Sequence, residues 1–189
     1  MKFIFRWGIA AFLLILSLVP VLAQDTVTLK PYTDKSYGLT GIVPAGWNAI
    51  GSGTYERDQS PNDVTVILQQ TSSLPADKVL TSLLPRLGLT TVPQSVGTYR
   101  STALNWTLYK VAFKTPTVTI VVDLALAEDS SSGKTFLLAL QTSSADYDAL
   151  HKSLFLPVLD ALKPLPSPDE LIRWLKSSLS WLMSLWSLL

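Results

Sequence analysis

Apolar and polar residues alternate through Val64-Thr65-Val66-Ile67-Leu68-Gln69-Gln70, a β-branched run that predicts a strand. Leu104 to Phe113 repeats the pattern, with Trp106, Leu108, Lys110 and Ala112 on one side and Thr107, Tyr109, Val111 and Phe113 on the other. Val118 to Ala127 is apolar on both sides except for Asp123, as expected of a central strand covered on both faces. Glu128 to Gly133 reads as a polar hairpin turn, and Lys134 to Gln141 returns as a strand. Strands joined by such short loops predict an antiparallel meander.

Helical spacing marks two other stretches. Val79, Leu80, Leu83 and Leu84 share one stripe over 76–84, and Pro85 and Gly88 end it. Tyr147, Leu150, Leu154, Val158 and Ala161 form a stripe from Asp146 to about Leu162, where Pro157 should kink the helix because it has no backbone donor. Nearer the N-terminus, Tyr37 to Trp47 reads as a strand running into a Pro-Ala-Gly turn. Pro44 sets its first corner, Gly46 is free to take a positive φ, and Trp47 is aimed to seal the sheet's edge. Short strands are expected near Val27–Leu29, Asn48–Ile50 and Thr54–Arg57, and Leu89 to Gly97 has no regular pattern. The predicted class is α+β: an antiparallel β-sheet with helices packed on it.

A different pattern follows the proline-rich linker 164–168. Ser167, Pro168, Asp169 and Glu170 supply a cap, a first-turn proline and first-turn acids, starting a helix that runs over 169–189. Arg173, Lys176, Ser177, Ser180, Ser184 and Ser187 fall on one narrow polar stripe. Trp174, Leu175, Leu179, Trp181, Leu182, Leu185, Trp186 and Leu189 make up much of the rest, an apolar surface that does not stay in water. The charge-free part, Ser177 to Leu189, reaches only ~20 Å as a helix, against a hydrocarbon core of ~30 Å. A helix lying in the membrane interface, with its tryptophans at headgroup depth, fits that length better than a spanning one. Self-association or a protein partner, and docking back onto the domain, are the competing explanations.

At the other end, Lys2 and Arg6 precede an apolar run from Ile9 to Val19, Pro20 breaks it, and Val21-Leu22-Ala23 offers a peptidase site. Residues 1–23 thus read as a secretory signal cleaved after Ala23, with an uncleaved anchor as the alternative. The location expected is extracellular or in the cell envelope, membrane-associated through the tail. Losing Lys2 and Arg6 from 15 basic residues leaves 13 against 14 acidic ones. That balance creates no basic field for nucleic acid, so no nucleic-acid partner is expected. The 189 residues suit one domain, placed at 24–163, and with no cysteine its stability must come from the core.

Few residues carry the chemistry of an active site. His151 is the only histidine and falls near the apolar face of the last domain helix, where a structural role outweighs a catalytic one. One histidine and no cysteine exclude zinc sites of the usual nitrogen and sulfur kind, and no cofactor is expected. Ser131-Ser132-Gly133-Lys134 matches S-x-x-K, but that motif needs a helix start and here sits at a hairpin tip. Asp123, within an apolar strand, would need a partner if buried; the expectation is a strand-edge or face-boundary aspartate paired with a lysine. Tyr55, Tyr99 and Tyr109 are candidates for a binding face, although core packing competes for each.

Tyr37-Gly38-Leu39 followed by Pro44-Ala45-Gly46-Trp47, then a hairpin, a helix, a meander and a closing helix, resembles the PsbP-like α+β domains. The resemblance covers roughly 32–164 and includes the closing Leu150-His151, Phe155 and Val158 to Leu162. More narrowly, the chain is similar to modules that precede α/β-hydrolase or serine-hydrolase domains in secreted bacterial proteins. No hydrolase follows here, so the resemblance implies a non-enzymatic binding or accessory module. A separately encoded hydrolase is the partner it would imply; a membrane surface or a protein partner engaged through 169–189 is the partner the tail implies.

Overall fold

The alternation of Leu104–Phe113 and its neighbours folds as the expected meander in a computed structural model, which describes residues 27–60 and 62–166. The signal over 1–23 and the helix over 169–189 lie outside the described residues. Strands β1 (Leu29–Asp34), β2 (Leu39–Pro44), β3 (Asn48–Gly51), β4 (Thr54–Glu56) and β5 (Val66–Ser72) precede the first helix, α1 (Ala76–Leu83). A 3-10 turn, Leu84–Leu87, extends α1, and Gly88 ends it at φ +65°. Then come β6 (Ser95–Arg100), β7 (Asn105–Lys114), β8 (Thr119–Asp129) and β9 (Lys134–Ser143). The closing helix is α2 (Tyr147–Leu150), a π-helical segment (His151–Phe155) and α3 (Leu156–Ala161), and β10 (Lys163–Pro164) follows it.

Two antiparallel sheets result. The larger has the order β3-β4-β5-β9-β8-β7-β6, and the smaller has β1-β2-β10. Because side chains alternate across a strand, β8 sends Ile120, Val122, Leu124 and Leu126 to one face, where Val79 and Leu80 of α1 cover them. Ala125 and Ala127 point the other way, joining Phe136, Leu138 and Leu140 of β9 beneath Leu150, Leu154, Phe155, Val158 and Leu159 of the closing helix. Leu39 of β2 enters this second core. Gln69, fully buried on β5, donates from Nε2 to the Ile42 carbonyl at 2.8 Å and so ties the two sheets together.

Two local features go beyond the sequence expectation. Pro157 sits inside the closing helix, and the turn before it widens to π-helical, which accommodates a residue that supplies no backbone donor. Lys163 and Pro164 pair with Thr40 and Leu39, and the Leu165 N–H donates to the Gly38 carbonyl at 2.9 Å. The fold therefore holds the chain through Leu165. A proline is acceptable there because β10 is an edge strand.

Candidate functional site: the loop end of the sheet

One end of the molecule gathers the β1–β2 turn, the β3–β4 turn, the β5–α1 loop and the β8–β9 hairpin. Asp34 organises its centre. Its Oδ1 accepts the N–H groups of Ser36 at 2.8 Å and Tyr37 at 3.0 Å, and the Ser36 hydroxyl as well. Its Oδ2 accepts the hydroxyls of Tyr32 at 2.7 Å and Ser52 at 2.6 Å, which joins the two sheets. Burial pushes the Asp34 carboxyl up, but the hydroxyls of Ser36, Ser52 and Tyr32 and the Tyr37 N–H outweigh it and hold the group well below the usual carboxylate range. Burial, then the bond to Asp34, pushes the Tyr32 phenol up.

The turn that Asp34 shapes presents the Tyr37 carbonyl to Lys134, whose Nζ donates to it at 2.8 Å, and to the Thr71 hydroxyl at 2.5 Å. Gly38 takes φ +68°, and a Cβ there would lie 2.6 Å from Lys134 Nζ, so the aromatic-glycine pair permits this approach. Beside it lies a cleft of about 420 Å³ between the β5–α1 loop (Ser73, Leu74, Pro75) and the hairpin residues Glu128, Asp129 and Lys134. Glu128 Oε1 accepts the Ala76 N–H at 2.7 Å and satisfies the start of α1 from across the cleft. Burial raises the Asp129 carboxyl, and the Ser132 and Ser131 hydroxyls and N–H groups more than reverse it. Glu128, Asp129 and Lys134 are thus committed to holding the loops, while Leu74 is half-exposed at the rim.

A second polar cluster lies under the closing helix. Asp123 is 4% exposed, and its Oδ2 lies 2.6 Å from His151 Nδ1 while its Oδ1 accepts the Tyr147 hydroxyl at 3.0 Å. Burial, followed by the Asp123 charge, pushes the Tyr147 phenol up and keeps it a donor. The expected lysine partner for Asp123 is therefore corrected to His151 and Tyr147. Lys110 does stand opposite Asp123 in the β7–β8 register, yet its Nζ lies 3.7 Å over the Tyr147 ring. His151 also stacks on Phe155, with ring centroids 5.5 Å apart. The Tyr147 oxygen lies 3.5 Å from His151 Nδ1, so both side chains converge on the one carboxylate. The cluster fastens the helix to the sheet.

The candidate tyrosines are not brought together. Tyr55 and Tyr99 pack at the edge of the core under the closing helix, and Tyr109 packs on the opposite face with α1. The S-x-x-K residues also separate: the Ser131 hydroxyl donates to Asp129 at 2.8 Å, and Lys134 reaches Tyr37. Among the described residues no group of three or more His, Asp or Glu side chains could hold a metal ion, and no helix is long and apolar enough to cross a membrane. Sequence reasoning missed Asp34, although Asp-Lys-Ser-Tyr-Gly is turn chemistry in which an aspartate accepts N–H groups two and three residues on.

No protein-family model matches the chain, and no curated protein matches it. Among solved structures, it is similar to the Saccharomyces cerevisiae Ran-binding protein Mog1p at 11% identity and a TM-score of 0.49, covering 74% of this chain and 96% of that one. It is similar to cyanobacterial PsbP from Synechocystis at 13% identity and a TM-score of 0.47, covering 73% and 93%. It is also similar to LpqN, involved in cell envelope biogenesis of Mycobacterium tuberculosis, at 15% identity and a TM-score of 0.47, covering 76% and 94%. The antiparallel sheet with packed helices is the architecture that the PsbP-like resemblance implies.

Proposed function

We propose that the chain is an exported, non-catalytic binding or accessory module, held at a membrane surface by the amphipathic helix over 169–189. The observation that carries this reading is the tail's pattern, a narrow polar stripe of serines, Arg173 and Lys176 on a stretch that after the first-turn acids is mostly leucine and tryptophan. Its length favours the interface plane over a crossing. The domain supplies contacts through its loops, and the tail supplies location. Co-sedimentation with phosphatidylcholine vesicles tests it: the mature chain 24–189 should pellet with the vesicles, and the chain ending at residue 166 should stay in solution. A mature chain that remains soluble beside vesicles, and instead forms defined oligomers, would replace the membrane with self-association.

A further inference from the structure

We infer that the loop end of the domain, with its cleft, faces the lipid surface, and that the opposite end points away into the aqueous space. The inference rests on the membrane reading above and adds an orientation to it. Three observations carry it. The fold fixes the chain as far as Leu165, whose N–H is bonded to the Gly38 carbonyl at 2.9 Å, so the tail departs from the loop end. Only Pro166, Ser167 and Pro168 separate that anchor from the first acids of the tail helix. The four Cα–Cα steps from Leu165 to Asp169 reach at most about 14 Å, and the two prolines narrow their freedom. Gly38 also lies against Lys134, which lines the cleft, so exit point and cleft are neighbours.

The long axis of the sheet makes this arrangement directional. β8 runs from Thr119 to Asp129, and its far end joins the turn around Thr117. At 3.4 Å per residue that strand is about 34 Å long, much more than the linker can compensate. An interfacial helix tethered within about 14 Å of Leu165 holds the hairpin Ser130–Gly133 and the rim residue Leu74 beside the headgroups. Leu74 is 50% exposed and supplies an apolar side chain to that boundary. Strand β1 enters from the other end, since Leu29 pairs with Pro44 and Asp34 with Leu39.

The absence of cysteine from the sequence makes the test clean, because one introduced thiol takes the only label. Ser130→Cys places a fluorophore at the loop end and Thr117→Cys places one at the far end; both sites are exposed. Ser73→Cys, also exposed, repeats the loop-end reading if the hairpin does not tolerate the change. On phosphatidylcholine vesicles, the loop-end label should lose accessibility to a water-soluble quencher while the Thr117→Cys label keeps it. Vesicle-bound protein in which the Thr117→Cys label is shielded, or in which both labels stay equally accessible, would overturn the orientation and leave the membrane reading standing. Protein that does not bind the vesicles at all would overturn both.

Discussion

His151 and Asp123 meet at 2.6 Å across the boundary between the closing helix and β8, joining the only imidazole in the chain to a carboxylate inside an apolar strand. The imidazole is partly exposed, with 28% of its side-chain surface accessible, and the carboxylate is covered. Removing His151 leaves Asp123 with one buried partner fewer, and an unsatisfied buried acceptor costs roughly 1–3 kcal/mol. His151→Ala should therefore destabilise the domain by about that amount. In a double-mutant cycle with Asp123→Ala, the coupling should fall between about 0.5 and 3 kcal/mol. Additive losses in urea denaturation would mean that the pair contributes nothing of its own.

Asp34 predicts how the domain responds to acid. Its folded carboxyl is held below the ordinary value, so the unfolded chain binds the proton first as pH falls. The stability it contributes is fully present above the unfolded value of about 3.9 and is lost as pH drops from there towards the folded value. Asp63 and Asp129, also lowered, act in the same direction. Asp34→Asn should cost about 1–3 kcal/mol at neutral pH and should flatten the acid side of a stability-against-pH curve. An unchanged acid limb would assign that limb to other carboxylates.

The meander, α1 and the Pro-Ala-Gly turn were legible because each is written in local spacing. Gly46 takes φ +81°, as a turn delivering Trp47 requires. The partners of Asp123 were not legible. They lie 24 and 28 residues away, and only the helix register places Tyr147 and His151 one turn apart over the same carboxylate. Nor did spacing reveal β10, because a two-residue strand containing a proline has no period to detect. Pro157 marks where the closing helix is irregular, because its missing donor is readable in the sequence, but spacing does not show that the turn before it widens to π-helical. The cleft depends on which loops the sheet topology collects at one end, and no single segment encodes that.

Trp47 packs partly buried against the larger core. Full burial of a tryptophan would make its truncation cost roughly 3–5 kcal/mol, and half-burial reduces this to about 2 kcal/mol. Trp47→Ala should lower the urea midpoint by a corresponding amount while leaving vesicle binding intact. A variant of unchanged stability that lost vesicle binding would make the ring a contact residue.

Gly53 is where the larger sheet comes closest to its own β3–β4 turn. The Gln69 N–H donates to its carbonyl at 2.8 Å, and a Cβ built on Gly53 would lie 2.0 Å from the Gln69 carbonyl oxygen. Its φ of +66° adds the penalty of a left-handed conformation, about 1–2 kcal/mol for a residue with a side chain. Gly133 has nearly the same φ, +65°, but nothing within 4 Å of its Cβ position. Gly133→Ala should therefore cost about the conformational penalty alone, ~1 kcal/mol. Gly53→Ala must also push β4 from β5, and should lose a further 1–3 kcal/mol, roughly that of a buried hydrogen bond. Comparing the two variants in urea denaturation isolates the close approach, because backbone strain is common to both. Equal losses would show that the turn relaxes around the methyl group and that the tight contact with Gln69 is not required.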